Sequence, residues 1–193
     1  MIGTHFKIVT MDNYKELLKE VCDGDPVVVR GVKYREIIPP VIVTPPKSIE
    51  FFEKFEKFDP YMAKARAEYI LAHMNYEDVS VEFCEDRSTR RAVIYKPDWY
   101  WDKWPRHVNC VVAYQYIIRA NIMRLHVFMR SSDFYNAFPY DWFAASEHLR
   151  IMAEEEEAAE GYIYWHISNL HVAADDLPRI EKFLRGDAAN GSA

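Results

Sequence analysis

Six side chains able to do chemistry fall between Cys110 and Asp141: Cys110, Gln115, Arg130, Ser131, Asp133 and Asp141. A thiol is a nucleophile once deprotonated, a guanidinium matches an anion with paired donors, and a carboxylate accepts hydrogen bonds or moves a proton. A nucleophile, an anion clamp and a second acid close together in sequence suit a substrate that is both anionic and electrophilic. Outside that stretch the candidates are Arg30 beside Gly31, Glu68, the adjacent Arg90 and Arg91, and His171. Several have a plainer alternative. Cys110 fits a buried structural thiol, Arg30 a hairpin-turn residue, Arg90 and Arg91 ordinary surface cations, and Glu68 a solvated helix carboxylate.

These residues need elements to position them. Two β-rich runs, YQYII and MRLHVFM, predict a hairpin-like unit that delivers the Arg130–Asp133 tetrad at its end. Met11 to Val21 places Tyr14, Leu17, Leu18 and Val21 at helical spacing. Asp23 to Pro26 reads as a turn, Val27 to Arg30 as a short strand, and Lys33 to Val43 as a further extended stretch. Ser48 to Phe58 predicts a helix capped by Ser48, and Pro60 opens another that carries Glu68 and runs to about His73. Val79 to Phe83 alternates like a strand, and Ala92 to Tyr95 predicts a second. Lys96 to His107 reads as an ordered aromatic loop, Trp142 to Met152 as a helix, Tyr162 to Ile167 as a strand and Asp175 to Leu184 as the last helix. Glu154 to Glu157 with Glu160 reads as a solvated acidic run. Strands in blocks between helices indicate one α+β domain over residues 1–193, with a frayed tail from about residue 186.

Composition narrows the class. A chain of 193 residues, half of them hydrophobic, can bury a sizeable core. A net charge of −6 argues against non-specific nucleic-acid binding, so any phosphate site must be a local cluster of arginines. Three cysteines without Cys/His ligand spacing argue against a disulfide framework and against a structural metal. With no apolar leader and no membrane-length apolar run, the expectation is a cytoplasmic protein, including the host cytoplasm for a phage-encoded chain.

The motifs in order then carry a resemblance. Arg30-Gly31, Arg90-Arg91, Cys110 with Gln115, Arg130-Ser131-Ser132-Asp133, Pro139 before Asp141, and Ser168 to His171 together resemble the thymidylate synthase superfamily. They resemble most closely its phage-type deoxycytidylate (dCMP) hydroxymethylase branch. The spacings from Arg91 to Cys110, Cys110 to Arg130 and Arg130 to Asp141 are similar to those of the family, as is the stretch GVKYREIIPPVIV after Arg30. The likeness is nearly continuous from Arg87 to about Leu184 and patchy before it.

The resemblance implies a thymidylate synthase-like fold, a mixed sheet packed by helices in a compact version, and a sheet-mediated obligate homodimer. It implies that the Cys110 thiolate adds to C6 of a pyrimidine and so makes C5 nucleophilic. Arg30 and Arg130 would hold the nucleotide phosphate, with Arg90 and Arg91 supplied by the partner subunit. Ser131 would add a hydroxyl, Gln115 would support the back of the site, and His171 would touch the sugar. Asp133 matches the acid that holds the pterin of 5,10-methylenetetrahydrofolate, and Glu68 on the central helix stands for the catalytic glutamate, although a gap-free alignment puts Ala65 there.

Asp141 replaces the asparagine of thymidylate synthases. A carboxylate only accepts hydrogen bonds, which suits the 4-amino group of cytosine and opposes O4 of uracil. The expectation is hydroxymethylation of dCMP, with the same chemistry or methylation on dUMP or CMP as one alternative and a non-catalytic nucleotide-binding dimer as another. The terminal GDAANGSA lacks the apolar closing tail of thymidylate synthases, which favours water over hydride at the exocyclic carbon. A family segment before the arginine pair is missing, leaving Trp99, Trp101 or Trp104 to stand in for its indole, and Ala173 replaces a sugar-binding tyrosine.

Overall fold

The computed structural model of the chain describes residues 6–72, 75–95 and 110–186. The aromatic loop with Trp99, Trp101 and Trp104, and the tail beyond Gly186, lie outside those residues. The architecture is mixed α+β with two sheets.

The larger sheet has six strands in the order β1-β4-β9-β7-β6-β5, comprising β1 (Phe6–Ile8), β4 (Val41–Thr44), β5 (Val93–Tyr95), β6 (Val111–Arg119), β7 (Ile122–Met129) and β9 (Ala159–Ile167). The smaller sheet has the order β2-β3-β10-β8, from β2 (Asp25–Val29), β3 (Val32–Ile37), β8 (Ser132–Asp133) and β10 (Leu170–Ala173). β6 and β7 form the expected hairpin, closed by Ala120 and Asn121 at φ 51° and 57°. A two-residue turn with both φ values positive matches the twist of the strands it joins.

Strand alternation gives the larger sheet two different faces. Tyr114, Tyr116, Leu125, Val127, Ile163 and Trp165 are buried on one of them, against α5 (Phe138–Glu155). α5 is buried along much of its length, from Phe138 to Ala153, and so acts as the central helix of the core. The indole N–H of Trp142 donates to the Pro45 carbonyl (2.9 Å), and that of Trp165 to Thr44 Oγ1 (2.9 Å), which satisfies both buried donors. Gln115, His126, Phe128, Tyr164 and His166 alternate onto the other face and are only half-buried.

The smaller sheet packs on α1 (Met11–Cys22), where Tyr14, Leu17, Leu18 and Val21 are buried as their spacing predicts. α3 (Pro60–Ala72) begins at Pro60, its first turn capped by the Asp59 carboxylate, and packs along α5. The last helix, α6 (Leu177–Arg185), follows a 3-10 turn at Ala174–Asp176 and ends at Gly186 in the left-handed region.

Three local expectations fail for physical reasons. Val79 to Phe83 is not a strand but lies within the helix α4 (Tyr76–Glu85). Val79 and Phe83 are buried four residues apart, while Val81 between them is 52% exposed. The predicted helix Ser48–Phe58 shrinks to α2 (Ile49–Phe52). Three-residue turns follow, closed by Phe55 N to Phe52 O (2.9 Å) and Phe58 N to Phe55 O (3.0 Å), which bring Phe52, Phe55 and Phe58 into the core. The acidic run is not wholly solvated either. Glu156 is buried and pairs with Arg87, whose guanidinium also donates to the Glu156 carbonyl.

Candidate active site

β7 and β9 run parallel and side by side, and both chains leave the larger sheet at the same level to become β8 and β10 of the smaller one. Backbone bonds hold the crossing: Ser168 N to Met129 O (3.0 Å), Ser132 N to Asn169 O (2.9 Å) and Arg130 N to Cys110 O (2.9 Å). Cys110, just before β6, is thereby fixed beside Arg130 and Ser131, just after β7. The Ser131 hydroxyl lies 3.9 Å from the Cys110 sulfur.

A recess of about 400 Å³ opens at this crossing, lined by Cys110, Arg130, Ser131, Asn169, His171, Tyr34, Glu36 and Val29. β3 and β10 pair antiparallel with His171 opposite Glu36, and the Tyr34 ring meets the His171 ring edge-to-face at 5.3 Å. His171 Nδ1 lies 3.2 Å from Asn169 Oδ1, which orients the imidazole. Burial holds the His171 imidazole below its ordinary pKa. The charges of Asp133 and Glu36 oppose that shift and Arg130 adds to it. Four of the residues expected at the site, Cys110, Arg130, Ser131 and His171, therefore share one recess.

The remaining candidates are placed differently. Arg30 sits at the tip of the β2–β3 hairpin, exposed and with φ 51°, next to Val29 of the recess wall. Arg90 and Arg91 are exposed. Arg91 pairs loosely with Glu82 (3.5 Å), and Gln115 donates to the Arg90 carbonyl (2.8 Å), so Gln115 anchors the arginine pair to β6 instead of lining the recess. Arg130 also lines a second recess of about 480 Å³ with Val112, Phe128 and His166, which links the Cys110 site to the half-buried sheet face.

Asp133 caps the turn before α5. Its Oδ1 accepts from the Tyr135 and Asn136 N–H groups (3.1 and 2.9 Å), and its Oδ2 from the Asn136 side-chain amide (2.9 Å). Lys57 and Asp176 extend that network through Asn136. A carboxylate offers about four acceptor positions, so Asp133 keeps room for a further donor such as a pterin N–H.

Glu68 does not join Cys110. It is exposed and lines a separate recess with Ser48, Glu50, Lys64 and Glu147. The residue that α3 turns toward Asp141 is Arg66, whose Nη2 lies 2.5 Å from Asp141 Oδ1. Asp141 sits in the first turn of α5 and is almost wholly buried, as is Tyr114 of β6 beside it. Burial and then the Asp141 charge push the Tyr114 phenol far up, so its hydroxyl stays protonated. The side chain that α3 brings to Asp141 is thus a guanidinium, while the Glu68 carboxylate lines its own separate recess. Tyr34 and Glu36 were legible in principle from their shared strand face, whereas nothing in the sequence pairs Arg66 with Asp141.

The thymidylate synthase family model matches residues 77–190, from α4 through α6, and the chain belongs to that family. A curated relative from Methanococcoides burtonii, described as "Putative thymidylate synthase", is 29% identical over 112 residues, 57% of this chain and 51% of that protein. The chain spans about half the length of the curated relative it matches. Every residue of the Cys110 recess that lies on β6, β7 or β10 or their ends falls inside the matched segment, and the β2–β3 wall falls outside it.

Proposed function

We propose that the chain transfers a one-carbon unit to C5 of a cytidine monophosphate, converting dCMP to 5-hydroxymethyl-dCMP. The observation that carries this reading is the convergence of Cys110, Arg130, Ser131 and His171 on one recess within a member of this family. The Cys110 thiolate adds to C6 of the pyrimidine, which makes C5 nucleophilic, and departs when the product is complete. Arg130 and the Ser131 hydroxyl hold the phosphate, and His171, oriented by Asn169, meets the sugar. Asp141 reads the base by accepting from the 4-amino group. The choice of hydroxymethyl over methyl follows the sequence resemblance to the hydroxymethylase branch.

Asp133 would hold methylenetetrahydrofolate, which supplies the one-carbon unit when bound. The chain works as a homodimer joined through the half-buried face of the larger sheet. Arg90 and Arg91, exposed and anchored through Gln115, complete the partner's phosphate site along the recess that Arg130 shares with Phe128 and His166. Gathering several guanidinium groups around one dianion makes substrate binding itself a source of order.

Tritium release from dCMP labelled at C5, in the presence of methylenetetrahydrofolate, tests the reading. Release is expected from the wild type and is lost in Cys110→Ala. Binding of dCMP without any C5 exchange would instead identify a non-catalytic nucleotide-binding dimer.

A further inference from the structure

Arg66, the ion-pair partner of Asp141, has no part in the roles assigned above. The Arg66 side chain is 43% exposed and that of Asp141 is 6% exposed, and Arg66 Nη2 lies 2.5 Å from Asp141 Oδ1. With Asp141 on the group at C4, a guanidinium that close to it meets a ring position adjacent to C4. Of the two neighbours, C5 and N3, only N3 carries a hydrogen-bonding atom.

We infer that Arg66 determines base specificity together with Asp141, the pair reading cytosine at two adjacent points. This rests on the reading that Asp141 faces the base. Cytosine offers an amino donor at C4 and a lone pair at N3, which match the carboxylate acceptor and a guanidinium N–H in that order. Uracil offers the reverse, an oxygen at C4 and an N–H at N3, so acceptor would meet acceptor and donor would meet donor. A guanidinium carries five N–H donors and spends one on Asp141 Oδ1, leaving others for a ligand.

The test is calorimetric titration with dCMP and dUMP of the wild type, Arg66→Met, Arg66→Lys and Asp141→Asn. The quantity read is the ratio of the two dissociation constants, which general damage to the fold does not move. The wild type is expected to favour dCMP, and Arg66→Met to lower that preference about tenfold, the usual scale for a buried group left with the wrong partner. Arg66→Lys should recover part of it, because the charge beside Asp141 returns without the flat fork of donors. An unchanged ratio in Arg66→Met overturns the inference, and so does a ratio that moves further toward dCMP. Should circular dichroism show that Arg66→Met does not fold, Arg66→Gln carries the comparison with the same expected and overturning outcomes. The proposed function fails separately: a wild type that binds neither nucleotide, or favours dUMP while Asp141→Asn leaves its preference unchanged, sinks the base-reading role of Asp141 itself.

Discussion

The two faces of the six-stranded sheet are built from the same strands and do different work. On the inner face Tyr116, Leu125, Val127 and Trp165 are sealed under α5. The outer face carries a stacked series, His126 on Tyr164 (4.7 Å), Phe128 on His166 (4.6 Å), with His126 Nδ1 3.0 Å from His166 Nε2. Tyr162, Tyr95 and Val112 stand out from the same strands at 47%, 73% and 50% exposure. An apolar inner face answers to close packing, in which each methylene counts. A polar-aromatic outer face tolerates water and also suits a second protein surface, because aromatic rings with polar tips serve both environments.

Three substitutions test this contrast. The largest effect is expected on the inner face, where Trp165→Ala opens a cavity and strands the Thr44 hydroxyl. It should lose ~3–5 kcal/mol in a denaturant titration, and a small loss would mean that the face is not the folding core. An outer-face change of comparable size should leave the subunit folded but alter association. Tyr164→Lys is expected to shift the unfolding midpoint by less than ~1 kcal/mol while converting the proposed dimer to monomer in analytical ultracentrifugation. Loss of the fold in that variant would erase the distinction between the faces.

The smallest effect is a pH slope. Burial, then His166 and Arg124, hold the His126 pKa at about 4, below the ordinary histidine value of 6.5. Between those values the unfolded chain binds a proton that the folded chain refuses. Stability from this group is therefore complete above about pH 6.5 and is lost as pH falls toward about 4. His126→Gln should flatten that part of a melting-temperature profile, and an unaltered slope would count against a neutral, half-buried imidazole there.

Local sequence signals revealed the parts whose geometry is local. α1 follows from its periodicity, α3 from the proline that opens it and the β6–β7 hairpin from two β-rich runs, and each appears where the residues place it. Cys110, Arg130 and Ser131 converge because a hairpin returns its chain to its own start, which also fixes their spacing. Val79 to Phe83 misled because an i, i+4 pair with a valine between them is also an alternating run. Glu68 and Arg66 show the limit most clearly. Two positions on a helix differ by about 200° of rotation, so only the packing of α3 on α5 decides which of them meets Asp141. That contact joins residues 66 and 141, and no short-range pattern encodes it.

The hairpin tip at Arg30 has a consequence for how this chain can change. Its φ of 51° belongs to the region that glycine and asparagine occupy readily and that a long side chain adopts at a cost. Arg30→Gly would relieve that backbone tension and remove a cation in one step. A sturdier backbone and the anion-gripping tip proposed above therefore make opposite demands on this position. An arginine in such a conformation sets a little backbone ease against a charge held at the hairpin tip, next to Val29 of the recess wall.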